Sequence, residues 1–381
     1  MECASGVIRR LLLILLCAVI AAPLPAGGKL EKTDDTWIEI GGTVYGCIPD
    51  STGPVGGGNG YTRTVTTGEH EATSVEQLIA GLHDARPGET VFIPGEAILD
   101  FTSLVLAGRF ALQLPAGVTL AGDRGTRGSA GALLKSDAYA TSPLIRIEGP
   151  GARITGLRIQ GPDPERDLAH WRRSFWSSRE ERQGLSEDEY FYRFPASYGV
   201  VTEYEGLEVD NCELSGWSLA AVFLAAGKGH HLHHNFIHHN QRQGLGYGIS
   251  HGTAFSVIEY NLFDWNRHSI SGTGESPSGY VARYNLDTGH SLSHSFDMHG
   301  GRDRKDGTST AGSRIEIYHN TFLGTRRAIN IRGRPEEYAR IFGNWFAAHG
   351  SPGTAVTRPR SPGSTVELGR NLYGMITPGV Q

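Results

Sequence analysis

The chain is poor in cysteine, in methionine and in long apolar runs, and its charge is nearly balanced. Four cysteines occur in 381 residues, and two of them, Cys3 and Cys17, fall within the first 26. The remaining pair, Cys47 and Cys212, is too small a set for a disulfide framework. Cys212 sits inside a repeated pattern and reads as a small buried filler. The apolar run Leu11 to Ile20 is too short to span a bilayer. It follows Arg9-Arg10 and leads into small residues up to Ala26, the make-up of a cleaved export signal over residues 1–26. A secreted or periplasmic product without stable membrane insertion is therefore expected. A formal charge of −5 and a pI near 6.3 give no electrostatic reason to expect nucleic acid.

Glycine is what the chain has in excess, at 52 of 381 residues. Without a Gly-X-Y period this signals many turns, not collagen. The turns are regular. Seven segments share alternating apolar positions, a polar turn residue (usually Asn) and another apolar residue two places on. Ile315-Glu-Ile-Tyr-His-Asn320-Thr-Phe322 is the clearest copy, and the others centre on Cys212, Asn235, Asn261, Asn285, Asn344 and Asn371. The steps of 23, 26, 24, 35, 24 and 27 residues mark a stacked-repeat architecture. Further short strands fit between the turns, at Ala221–Leu224, Gly248–His251, Ser269–Ser271, Phe296–His299 and Ala328–Arg332, so each coil holds at least two. Short strands tiled at one period, with helices scarce, predict an all-β parallel solenoid. Coils about 4.8 Å apart would let the Asn side chains hydrogen-bond along the axis.

Residues 27–71 read as an irregular entry segment with one or two strands. Ser74 followed by Gln77 then gives a helix start, and Val75, Leu78, Ile79 and Leu82 share one face up to Pro87-Gly88. Such a helix would lid the open end of the first coil. The repeat domain, residues 72–381, is interrupted at about 162–197 by a stretch rich in Arg, Glu and aromatics, placed as a lateral insertion beside a binding face.

The run from Ala72 to Pro94, together with Gly117-Val-Thr-Leu-Ala-Gly122 and Tyr318-His-Asn-Thr-Phe322, resembles the pectin-lyase-like group of right-handed parallel β-helix proteins. The resemblance implies a single-stranded right-handed β-helix with an N-terminal capping helix. It does not fix a reaction, because that group includes lyases, hydrolases, epimerases, esterases and non-catalytic shafts.

Twelve of the sixteen histidines lie between residues 230 and 319. In His230-His-Leu-His233, alternation puts His231 with His233 on one face and His230 with Leu232 on the other. Turn positions that favour His beside Asn explain much of this concentration, and no metal site is assigned. Strand phase gives a sharper cluster. Inward Phe296 and Met298 turn Asp297 and His299 outward, and inward Ile329 and Ile331 turn Asn330 and Arg332 outward. Stacked coils then place Arg267, His268, Asp297, His299, Asn330 and Arg332 on one solvent-facing strip, with His294 and His251 near it.

Such a strip suits β-elimination from an acidic, uronate-containing polysaccharide. Arg267 or Arg332 would hold the uronate carboxylate, His299 or His294 would take the C5 proton, and Asp297 would orient the imidazole. Asn330, His251, Arg302 and Arg304 complete the expected substrate contacts. C5 epimerisation needs nearly the same groups. Hydrolysis needs a second carboxylate, with Asp264, Glu275 and Asp287 as candidates. A non-catalytic glycan-binding shaft is the alternative of another class. No cofactor is expected, Ca2+ at Asp303 and Asp306 being the weaker option beside so many basic residues. The expected state is a monomer.

Overall fold

The computed structural model describes residues 30–33, 36–108, 110–163, 168–359 and 365–375, so the leader-like residues 1–26 lie outside it. Among the described residues, three parallel sheets of nine, eleven and ten strands run the length of the molecule. In each sheet a strand pairs with its counterpart from the next coil, as Phe296–Met298 does with Ile329–Ile331. This is the expected parallel β-helix, with three strands per coil. Inward residues of all three sheets form one continuous core, including Ile154, Val209, Leu232, Ile258, Phe296 and Ile317. No helix among the described residues is long and apolar enough to cross a membrane.

The repeat read as one segment is two strands. Arg314–Tyr318 and Thr321–Phe322 belong to different sheets and meet at a corner where His319 has φ 52°. Asn211, His234, Tyr260 and Tyr284 take the same left-handed backbone at the equivalent corners. A side chain in that region costs about 1–2 kcal/mol, so the corners need compensation. Two columns supply it. His234, Tyr260, Tyr284 and His319 stack ring on ring, with centroids 4.9, 5.2 and 5.2 Å apart. Beside them the Asn column hydrogen-bonds along the axis: Asn261 Nδ2 donates to Asn285 Oδ1 and Asn285 Nδ2 to Asn320 Oδ1, at 3.0 and 2.9 Å. A second ladder at the next corner, Asn240 Nδ2 to Asn266 Oδ1 at 2.8 Å, has too few rungs to stand out as a repeat. Cys212 is buried against this column, and both Cys47 and Cys212 are free.

The helix Val75–Asp84 closes the first coil, with Ser74 accepting from the Gln77 amide and Leu78 and Leu82 buried in the core. The entry segment is more ordered than expected. Leu30–Thr33, Trp37–Ile40 and Thr43–Gly46 form an antiparallel sheet, and Ile38 and Tyr45 pack on Trp345 and Leu372 near the far end. The chain then runs back down the Asn corner. Cys47 N donates to Thr321 Oγ1, Gly56 N to the Tyr260 carbonyl, Gly58 N to Asn211 Oδ1 and Tyr61 Oη to Asp210 Oδ2. Short helices Ala169–Phe175 and Glu187–Tyr190 make the lateral insertion. Arg242, fully buried, clamps it: its guanidinium lies 4.2 Å from the Trp171 ring centroid and donates to the carbonyls of Phe191, Phe194 and Pro195.

Candidate functional site

The nine-stranded sheet positions the cluster. Phe296 and Met298 enter the core, as do Ile329 and Ile331, and Asp297 pairs in register with Asn330. The predicted phase holds, but the strip is not hydrated. Asp297 is completely buried beneath a ring of basic side chains. Its Oδ1 lies 2.8 Å from Arg332 Nε and 3.0 Å from His294 Nε2, and its Oδ2 lies 2.7 Å from Arg332 Nη2 and 2.9 Å from His299 Nε2. Burial disfavours the charge, yet the hydrogen bonds from His294 and His299 outweigh it and hold the carboxyl well below its ordinary pKa.

His268 also departs from the expected strip. Its ring is fully buried, stacked 5.7 Å from Tyr247 and tilted against His294 at 4.1 Å. Burial, followed by the Arg267 charge, pushes its pKa well below the usual imidazole value, so it is neutral and out of a substrate's reach. His294 is lowered as well, again by burial first. Around Asp297, the His299 and Arg332 side chains are 27% and 24% exposed, against 14% for His294.

Arg332 is not the free carboxylate clamp that its position suggested. Two of its nitrogens grip Asp297 and the third, Nη1, lies 3.1 Å from Asp303 Oδ1. Arg267 is different: among the described residues no carboxylate pairs with it, and Nη1 reaches only the Leu245 carbonyl, at 3.3 Å. It lies close enough to depress both His268 and His294. Asn330 is half-buried beside Asp297, and Arg302 is exposed.

Two expected contacts are corrected. His251 shares the inward phase of Ile249 and is fully buried, with Nδ1 on the Ser271 carbonyl and Nε2 on Ser256 Oγ. It is a core histidine, pushed down to about 4 by burial. Arg304 is consumed in closing its own loop, on Asp306, the Thr273 and Thr310 carbonyls and Thr308 Oγ1. In the same loop Asp306 accepts from Thr308 N, Thr308 Oγ1 and Arg304 as an internal staple.

None of the three carboxylates expected to serve hydrolysis joins the strip, where the second carboxylate is Asp303, 3.1 Å from Arg332 Nη1. Asp287 is buried, takes hydrogen bonds from Ser269, Ser291 and Gly289, and is raised by burial. Asp264 is engaged by Thr288 and His290, and Glu275 stands on an exposed loop. Sequence reasoning missed Tyr247, whose ring closes the floor over His268. Its signal was the register, since Tyr247 pairs with His268 across adjacent coils.

No family model matches the chain, and no curated protein sequence matches it. Among solved structures it is similar to an alginate lyase from Paenibacillus sp. str. FPU-7, with TM-score 0.45 and 13% identity over 80% of this chain and 97% of that one. It is also similar to a family 28 exopolygalacturonase from Yersinia enterocolitica, with TM-score 0.45 and 14% identity over 80% of this chain and 63% of that one.

Proposed function

We propose that the protein is a carbohydrate-active enzyme that cleaves a uronate-containing polysaccharide by β-elimination at the Asp297 cluster. The observation that carries this reading is a fully buried carboxylate holding a partly exposed imidazole, Asp297 Oδ2 to His299 Nε2 at 2.9 Å. A carboxylate on Nε2 fixes the proton there and leaves Nδ1 as the basic lone pair. His299 Nδ1 is then the base that takes the C5 proton. The C4–C5 double bond forms as the C4–O bond breaks, and the leaving oxygen takes a proton back from the His299 imidazolium.

Arg267, with no carboxylate partner among the described residues, is the group suited to the substrate carboxylate, whose charge must be stabilised as the enolate-like intermediate develops. Arg332 serves from inside: it offsets the Asp297 charge and keeps the His299 anchor ionised. Hydrolysis fits less well, because Asp297 is held far below the range of a general acid and has both oxygens occupied. The test is incubation with a panel of polyuronates, following the absorbance of unsaturated chain ends. New reducing ends without that chromophore would replace this reading with hydrolysis, and binding without either product would make the protein a glycan-binding shaft.

A further inference from the structure

One atom of the cluster is left without a partner. His268 Nδ1 donates to the His294 carbonyl at 2.5 Å, so in the neutral ring Nε2 carries the lone pair. That Nε2 is buried and makes no hydrogen bond among the described residues. It faces Asp297 Oδ2 at 3.9 Å, too far for a hydrogen bond. Two electron-rich atoms turned towards each other inside a protein are not attractive unless a cation lies between them. A histidine whose second nitrogen is pinned by a backbone carbonyl has the tautomer and orientation of a metal ligand.

The rest of the cluster matches. Ligand atoms of His268, His294 and Asp297 lie within 4.8 Å of one another, and His299 Nε2 reaches the same carboxylate from the other side. Four ligands around a tetrahedral zinc with bonds near 2.0–2.1 Å sit about 3.3 Å from each other. The separations of the His294 and His268 nitrogens from the Asp297 oxygens, 3.0 and 3.9 Å, lie either side of that value.

We propose that His268, His294 and Asp297 form a three-ligand binding site for a first-row divalent cation of the Zn2+ type, with a fourth position open. Two imidazoles and one carboxylate suit zinc and its neighbours better than Ca2+ and Mg2+, which take oxygen ligands. The Arg332 guanidinium neutralises the same atoms here, with Nη2 2.7 Å from Asp297 Oδ2 and 3.1 Å from His294 Nε2. The ion and the guanidinium are therefore competitors, and Asp303, already 3.1 Å from Nη1, can take the arginine when the ion enters. A second imidazole–carboxylate group, Glu208 with His231 and His233, lacks the vacant lone pair. His233 Nε2 meets Glu208 and Arg63, and His231 Nε2 meets Glu259.

This inference goes beyond the elimination reading, and its test uses no substrate, so either can fail alone. The purified chain is titrated with Co2+ as a visible probe and back-titrated with Zn2+. One equivalent of Zn2+-displaceable ligand-field absorption is expected, weakened at least about tenfold by His268→Gln and unchanged by His231→Ala. Because His268 is buried, His294→Gln, at the partly exposed side of the group, provides a second variant and should weaken binding as well. Absence of saturable absorption in the unaltered chain overturns the proposal. So does absorption that survives both cluster variants and disappears in His231→Ala.

Discussion

At the scale of single residues, burial decides which histidines can act. His251 and His299 both sit at the end of a strand of the same sheet, yet one is sealed in the core and the other reaches solvent. The alternation that turned Asp297 outward also places His251 with Ile249, so its inward position was legible in the sequence. The burial of Asp297 was not, because His294, from a loop, and Arg332 close over it, and strand phase does not show what covers an outward face. The sealed residue has a stability signature. The folded state holds His251 at about 4, below the ordinary 6.5, so only the unfolded chain takes up this proton between those values. Stability contributed by neutral His251 is full above about pH 6.5 and is lost as pH falls towards 4, by roughly 1.4 kcal/mol per pH unit at most. Denaturant titrations at pH 7 and pH 5 should show a drop that shrinks in His251→Gln. An unchanged pH slope in that variant would remove the assignment.

Corners and ladders carry the architecture at the scale of elements. The Asn column was plain in the sequence because Asn recurs at each step, and its axial hydrogen bonds are found as expected. The bend just before it was not legible, since Tyr and His at those positions give no sign of a left-handed backbone. Their stacking becomes apparent only when successive coils are superimposed. Asn285 illustrates the stakes: its Nδ2 donates to the carbonyls of Ile258 and Arg283 and to Asn320, and its Oδ1 accepts from Asn261 N and Nδ2. Asn285→Ala should leave several of these buried groups unpaired and cost about 2–5 kcal/mol. Thermal unfolding would report this as a large loss of Tm. A shift within error would show that water or a neighbouring rung replaces the side chain.

On the scale of the whole molecule, a solenoid turns sequence distance into vertical adjacency. Arg267, Asp297 and Arg332 lie on successive windings, which is how a repeat with no catalytic signature could still reveal a site. The two arginines given the same expected role differ because a stacked architecture hides ion pairs between coils: Asp297 and Asp303 both close on Arg332, and among the described residues no carboxylate pairs with Arg267. Elimination at this cluster requires His299 to be the base that Asp297 holds in place. The most direct measurement is the rate of unsaturated-end formation from a cleaved polyuronate by the unaltered chain and by folded His299→Ala. The account predicts a loss of about 10²–10⁴-fold, with the variant's thermal unfolding little changed. Elimination at the unaltered rate in His299→Ala would contradict it.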